Sequence, residues 1–173
     1  LAELYIEREE RVVGSIYKGK VVNVLPGMDA AFVDIGLEKN AFLYVGDILP
    51  TAEEEEVDIH EGPEETASES PPPPPPPRRN GRRVTIKDVA KIGQQILVQV
   101  VKAPRGTKGA RVSTRISLAG RYLVFMPDSD HVGVSRKIEE DQERDRLKQL
   151  AQQVKPPACG LIVRTEAEGR GLD

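Results

Sequence analysis

Ala30-Ala31-Phe32-Val33-Asp34-Ile35 is followed, after the break Gly36-Leu37-Glu38-Lys39-Asn40, by Ala41-Phe42-Leu43-Tyr44-Val45. A period of two puts Ala31, Val33 and Ile35 on one face of the first run, and Ala41, Leu43 and Val45 on one face of the second. That shared face is wholly aliphatic, as the interior of a closed sheet requires. The opposite faces carry Phe32 with Asp34, and Phe42 with Tyr44, so three aromatic side chains are expected to point away from the core. Trp is absent and aromatics are only 4% of the 173 residues, so their concentration here is informative.

Upstream, residues 14–25 read as a long strand rich in β-branched residues, and Pro26-Gly27-Met28-Asp29 reads as a turn. Downstream, a short helix is expected over 86–90 and a strand over 95–103. The Gly-rich loop Pro104-Arg105-Gly106-Thr107-Lys108-Gly109 and a last strand over 110–116 complete the series. Five short strands with one helix between the third and fourth form the OB-fold arrangement, so the fold class is mainly β with α. Outward rings beside Lys and Arg suit stacking of unpaired bases with cations tracking the phosphates. Lys108, in a flexible loop, and Arg111 and Arg115, on the polar face of the last strand, are the candidate cations. The alternative for Phe32 and Phe42 is a small second core beneath the segment that follows.

Other functions are excluded by what the chain lacks. It contains no apolar run near the roughly 18 residues that span a bilayer. One cysteine, Cys159, permits no internal disulfide or CxxC metal pair and suits a reducing, cytoplasmic compartment. His60 and His131 stand far apart, so neither a metal site nor a catalytic constellation is read in this chain. Leu147, Leu150, Ala151 and Val154 recur at helical spacing, with Glu140 and Arg144 one turn apart. Residues 139–154 therefore read as an amphipathic helix, and Asp141, Glu143 and Asp145 as its solvated face rather than metal ligands. Position 1 is Leu, no signal-peptide pattern follows it, and the chain reads as a fragment.

The formal net charge of -3 conceals a segregation. Residues 51–77 hold nine carboxylates and no Lys or Arg, which leaves +6 for the remainder. This low-complexity arm ends in seven prolines, Pro71 to Pro77, and in Arg78-Arg79-Asn80-Gly81-Arg82-Arg83. Its acidic part has too few apolar side chains to offset the entropy of ordering and is expected to be disordered. The prolines read as a stiff spacer of roughly 20 Å, at about 3.1 Å per residue. The arginines either contact phosphates or neutralise the neighbouring carboxylates.

Beyond these local readings, Ile16-Tyr17-Lys18-Gly19-Lys20-Val21, Ala30-Ala31-Phe32-Val33-Asp34-Ile35-Gly36 and Ala41-Phe42-Leu43 resemble the S1 RNA-binding domain of the bacterial RNase E/G family of endoribonucleases. The second half extends the resemblance in the same order. It contains Arg105-Gly106-Thr107-Lys108-Gly109-Ala110, Ile116-Ser117-Leu118-Ala119-Gly120-Arg121-Tyr122-Leu123-Val124, Met126-Pro127, Ser135-Arg136-Lys137-Ile138-Glu139 and Gly160-Leu161-Ile162-Val163-Arg164-Thr165.

The resemblance implies three regions. Residues 1–10 would be the tail of an RNase H-like subdomain, and 11–115 an S1 OB-fold domain with a disordered acidic, proline and arginine insertion at 51–83. Residues 116–173 would be a partial α+β 5′-sensor subdomain. It implies RNA contacts at Phe32, Phe42 and Lys108, and 5′-monophosphate contacts at Gly120, Val124, Arg164 and Thr165. Ile35 stands where the family often has an aromatic, so the platform is one ring smaller. The implied partner is single-stranded RNA, in a homo-oligomeric parent enzyme of RNA processing and decay. Its Mg-dependent hydrolysis, and a Zn link between protomers, would use residues outside this chain, so the chain alone is expected to be inactive and to need no cofactor. A different reading makes the chain a non-catalytic scaffold whose acidic and proline arm recruits proteins.

Overall fold

A computed structural model describes residues 12–48, 78–79 and 82–171. Strands β1 (Ile16–Leu25), β2 (Ala30–Asp34) and β3 (Ala41–Tyr44) form an antiparallel meander. Arg78–Arg79 (β4) and Arg82–Arg83 (β5) pair as a two-rung antiparallel ladder. After them come the helix α1 (Ile86–Val89) and strands β6 (Gln95–Lys102) and β7 (Arg111–Ser113). The order β1-β2-β3-β7-β6 closes on itself, with β3 and β7 parallel and all other neighbours antiparallel. This is a five-stranded OB-type barrel with its helix between the third and fourth barrel strands.

The barrel closes because the alternation of small and branched side chains fills it. Val21, Ala31, Val33, Ala41, Leu43, Val45, Val98, Val100 and Val112 are all buried in one cluster. Each such branched side chain stabilises the fold by about 1.5–3 kcal/mol when removed from water. Gly19 is required for packing rather than for a turn: a Cβ there would lie 2.5 Å from the Val33 side chain. The α1 helix starts at Thr85, whose backbone N–H and hydroxyl both donate to the Asp88 carboxylate, at 2.9 and 2.8 Å. Ile86 drops from that cap into the core.

Two expectations change here. Tyr44 does not face outward with Phe42; it is only 7% exposed and belongs to the core cluster. It opposes Ala30 at the end of β3, where the chain coils into a 3-10 turn over Val45–Asp47, and alternation no longer governs its direction. The arginine end of the 51–83 insertion, read as disordered, contains the β4–β5 ladder. The tail at 1–10, the acidic arm and the proline spacer lie outside the described residues.

The chain divides into two compact units, the first drawn from Leu1–Ile48 and Arg78–Thr114 and the second including Arg115–Asp173. The second unit contains β8 (Leu118–Ala119), β9 (Leu123–Met126), β10 (Val132–Val134), α2 (Asp141–Val154) and β11 (Gly160–Val163). Its sheet runs β10-β11-β9-β8, and α2 connects the parallel pair β10 and β11. Leu147 and Ala151 of α2 pack with Ile138, Val163 and Ala167, as the helical spacing predicts, whereas Val154 at the helix end is exposed. Arg144 does not pair with Glu140 as spacing suggested; its guanidinium donates to the carbonyls of Ser135 and Ile138, at 2.9 and 3.2 Å. It thus closes the approach to the helix.

Candidate nucleic-acid interface

The strand registers align one row of residues around the outside of the barrel. Asn23 opposes Phe32, Phe32 opposes Phe42, Phe42 opposes Arg111, and Arg111 opposes Lys102. The first pairing depends on an irregularity in β1 between Val21 and Asn23, which places Asn23 beside Phe32 where unbroken alternation would have placed Val22. The two rings meet edge to face, with centroids 6.1 Å apart and planes inclined by 70°. Both are half-buried, and Phe42 also packs on the barrel core. Ile35 points inward and is buried in the barrel core.

The cations around this row are held differently from one another. Arg111, a candidate for phosphate contact, directs its guanidinium at Asp47, with nitrogen-to-oxygen distances of 3.0 to 3.2 Å to both carboxylate oxygens. Its charge is therefore balanced within the barrel. Lys108 sits in a tight hairpin rather than a flexible loop: Arg105 and Lys108 exchange both backbone hydrogen bonds, at 3.1 and 3.0 Å. That hairpin rests on the turn between β2 and β3, since a Cβ on Gly109 would lie 2.0 Å from the Asn40 carbonyl oxygen. Lys39 of the same turn donates its amine to the Gly106 carbonyl. The Lys108 side chain is exposed on this rigid mount.

In the second unit, Gly120 and Arg164, two of the residues that the resemblance implies for a 5′ end, are in direct contact. Gly120 starts the turn between β8 and β9, its N–H donating to the Leu123 carbonyl at 2.8 Å. The Gly120 carbonyl accepts from the Arg164 guanidinium at 2.7 Å, and the Arg164 backbone N–H donates to the Tyr122 carbonyl at 2.8 Å. Thr165 follows directly and opens a 3-10 turn, Thr165–Ala167. Val124 lies on β9 opposite Ile162, with its side chain buried. Arg121 lies over the Tyr122 ring at 5.3 Å from its centroid.

The sequence pattern missed several participants. Asn23 required the strand irregularity, and Lys39 and Asp47 required contacts across 67 and 64 positions of chain. Glu143, read as part of a solvated acidic face, binds Arg146 at 2.6 Å and the Gly169 N–H at 2.8 Å. Those contacts, the Arg146 hydrogen bond foremost, hold its carboxyl down to about 2 from the usual 4.5. Among the described residues no three of His, Cys, Asp or Glu are grouped to hold a metal ion. No helix among them is long and apolar enough to cross a membrane.

An OB-type barrel with an outward aromatic pair, joined in one chain to a small sheet-and-helix unit, defines the class of protein. A sequence model of the Ribonuclease E/G family matches residues 117–173. Ribonuclease G of Escherichia coli (strain K12) is 47% identical over 176 aligned residues, which cover 99% of this chain and 32% of that protein. Ribonuclease G of Haemophilus influenzae is 46% identical over 98% of this chain and 31% of its own length. Ribonuclease E of Synechocystis sp. is 40% identical over 97% of this chain and 21% of its own length. The chain belongs to the ribonuclease E/G family. It spans about a third of the length of the Ribonuclease G relatives it matches.

Proposed function

We propose that this chain is the RNA-capturing part of an endoribonuclease of RNA processing and decay, with residues 11–115 serving as an S1 domain and 116–173 as part of a 5′ sensor. The observation that carries the reading is the outward Phe32–Phe42 pair on an OB barrel. Unpaired bases stack on such rings for about 1–3 kcal/mol each, whatever their sequence. Lys108, on its hairpin, contributes a cation to the passing backbone. In the second unit, the Gly120 carbonyl accepts from the Arg164 guanidinium and orients it, and that planar cation suits a terminal phosphate. The Thr165 hydroxyl donates to a further oxygen. A 5′-monophosphate, carrying about 1.5 to 2 negative charges at neutral pH, gains more from this pair than a 5′-hydroxyl does.

Hydrolysis is assigned to other parts of a longer protein. The family resemblance implies Mg2+ for that hydrolysis, and among the described residues no three of His, Cys, Asp or Glu are grouped to hold a metal ion. The scaffold reading rests on the arm at 51–77, outside the described residues, and the family membership favours the RNA role. Fluorescence anisotropy with one short unstructured RNA, bearing either a 5′-monophosphate or a 5′-hydroxyl, tests the proposal. The expected result is tighter binding of the monophosphate and loss of that difference in Arg164→Ala. Equal binding of the two RNAs by the unaltered chain would remove the end-sensing part, and absence of binding would remove the whole.

A further inference from the structure

The segment that follows Arg164 is a chain of hydrogen-bonded turns strung between two anchors. Ala167 N–H donates to the Arg164 carbonyl, Glu168 N–H to the Thr165 carbonyl and Arg170 N–H to the Ala167 carbonyl, each at 3.0 Å. One anchor is the β8–β9 turn, through Tyr122 and Gly120. The other is Glu143, in the first turn of α2, whose Oε1 accepts the Gly169 N–H at 2.8 Å across 26 positions of chain. Between the anchors only Ala167 reaches the core. Gly169 adopts a φ of +70°, a conformation that costs glycine little, so the chain turns there to bring its N–H to the carboxylate.

Glu143 also pairs with Arg146, whose Nε and terminal nitrogen each lie 2.6 Å from one of its oxygens. The Arg146 guanidinium balances the Glu143 charge, and Oε1 accepts from both Arg146 and the Gly169 N–H.

We propose that Glu143 is a positioning residue for 5′-end recognition: through Gly169 it fixes the turn that sets Thr165 relative to Arg164, and it does not touch the nucleotide. The inference rests on the 5′-sensing reading above. Receiving a phosphate with a guanidinium fork and a neighbouring hydroxyl demands placement to a fraction of an ångström, which a surface turn held at one end does not provide.

The test uses the same two RNAs with the unaltered chain, Glu143→Ala, Glu143→Gln, Arg164→Ala and the Glu143→Ala/Arg164→Ala double variant. Glu143→Ala is expected to lower monophosphate affinity by about tenfold, the scale of one charge-assisted hydrogen bond misdirected, while hydroxyl-RNA affinity stays the same. Glu143→Gln keeps an acceptor oxygen for Gly169 and is expected to retain most of the preference. In the Arg164→Ala background, Glu143→Ala is expected to add nothing. Faster hydrogen exchange of the Gly169 amide in Glu143→Ala reports loss of the anchor independently of RNA. If Arg164→Ala abolishes the preference while Glu143→Ala keeps it in full, the positioning role is refuted. If the unaltered chain shows no preference, the sensing reading fails and this inference fails with it.

Discussion

Replacing Phe32 by Ala separates the stacking platform from the barrel core. Phe32 and Phe42 form one edge-to-face pair, but only Phe42 packs on the core cluster. Removing the Phe32 ring deletes one stacking surface, worth about 1–3 kcal/mol, which converts to roughly a 5- to 150-fold loss of RNA affinity. Folding stability should fall by the ring-pair contribution, about 0.5–1.5 kcal/mol, together with the burial of a half-buried ring. Phe42→Ala should lose a similar factor in affinity and also leave part of a core cavity, costing about 2 kcal/mol of stability beyond Phe32→Ala. The assay is a titration of unstructured RNAs of different composition at two salt concentrations, beside a denaturant melt of each variant. The losses should be alike across compositions, because every base has a face to stack. Binding of Phe32→Ala indistinguishable from the unaltered chain at both salts would refute the platform, whatever the melts showed.

Lys108→Ala should weaken binding more at low salt than at high salt, lowering the slope of log affinity against log salt by about 0.7, one phosphate contact on a single strand. Gly109→Ala should destabilise the barrel by about 1–3 kcal/mol in a denaturant melt, because the new Cβ meets the Asn40 carbonyl at 2.0 Å; an unchanged melt would show that the hairpin does not rest there. Glu143 carries a lowered pKa in the folded chain, so the stability it contributes is complete above about pH 4.5 and is lost as pH falls through about 2. The carboxyl carbon of Glu143, followed by NMR, should titrate near 2, and a midpoint near 4.5 would mean that neither Arg146 nor Gly169 holds it.

Much of the barrel was legible because alternation is a local property. Ala31, Val33, Ala41 and Leu43 face inward as their spacing requires, and Phe32 and Phe42 face outward for the same reason. The stripe Leu147 and Ala151 was legible in the same way from the helical period. The candidate site was less legible. Resemblance alone named Gly120, Val124, Arg164 and Thr165, because no local spacing marks a residue that faces a ligand. Arg111 and Lys108 read alike as exposed cations, and only the position of Asp47 separates a compensated charge from an uncompensated one.

The sequence by itself determined the alternating strands, the closed aliphatic interior, the amphipathic helix and the membership in a family, because each depends on residues a few positions apart or on order along the chain. Tertiary structure alone decided which charges are spent on partners and which rings stay at the surface. Barrel closure brings Asp47 to Arg111 and Lys39 to Gly106, and the sheet-and-helix unit brings Glu143 to Gly169. A hydrogen bond acts over about 3 Å in space and is indifferent to the length of chain between its partners, so no local pattern could carry that information.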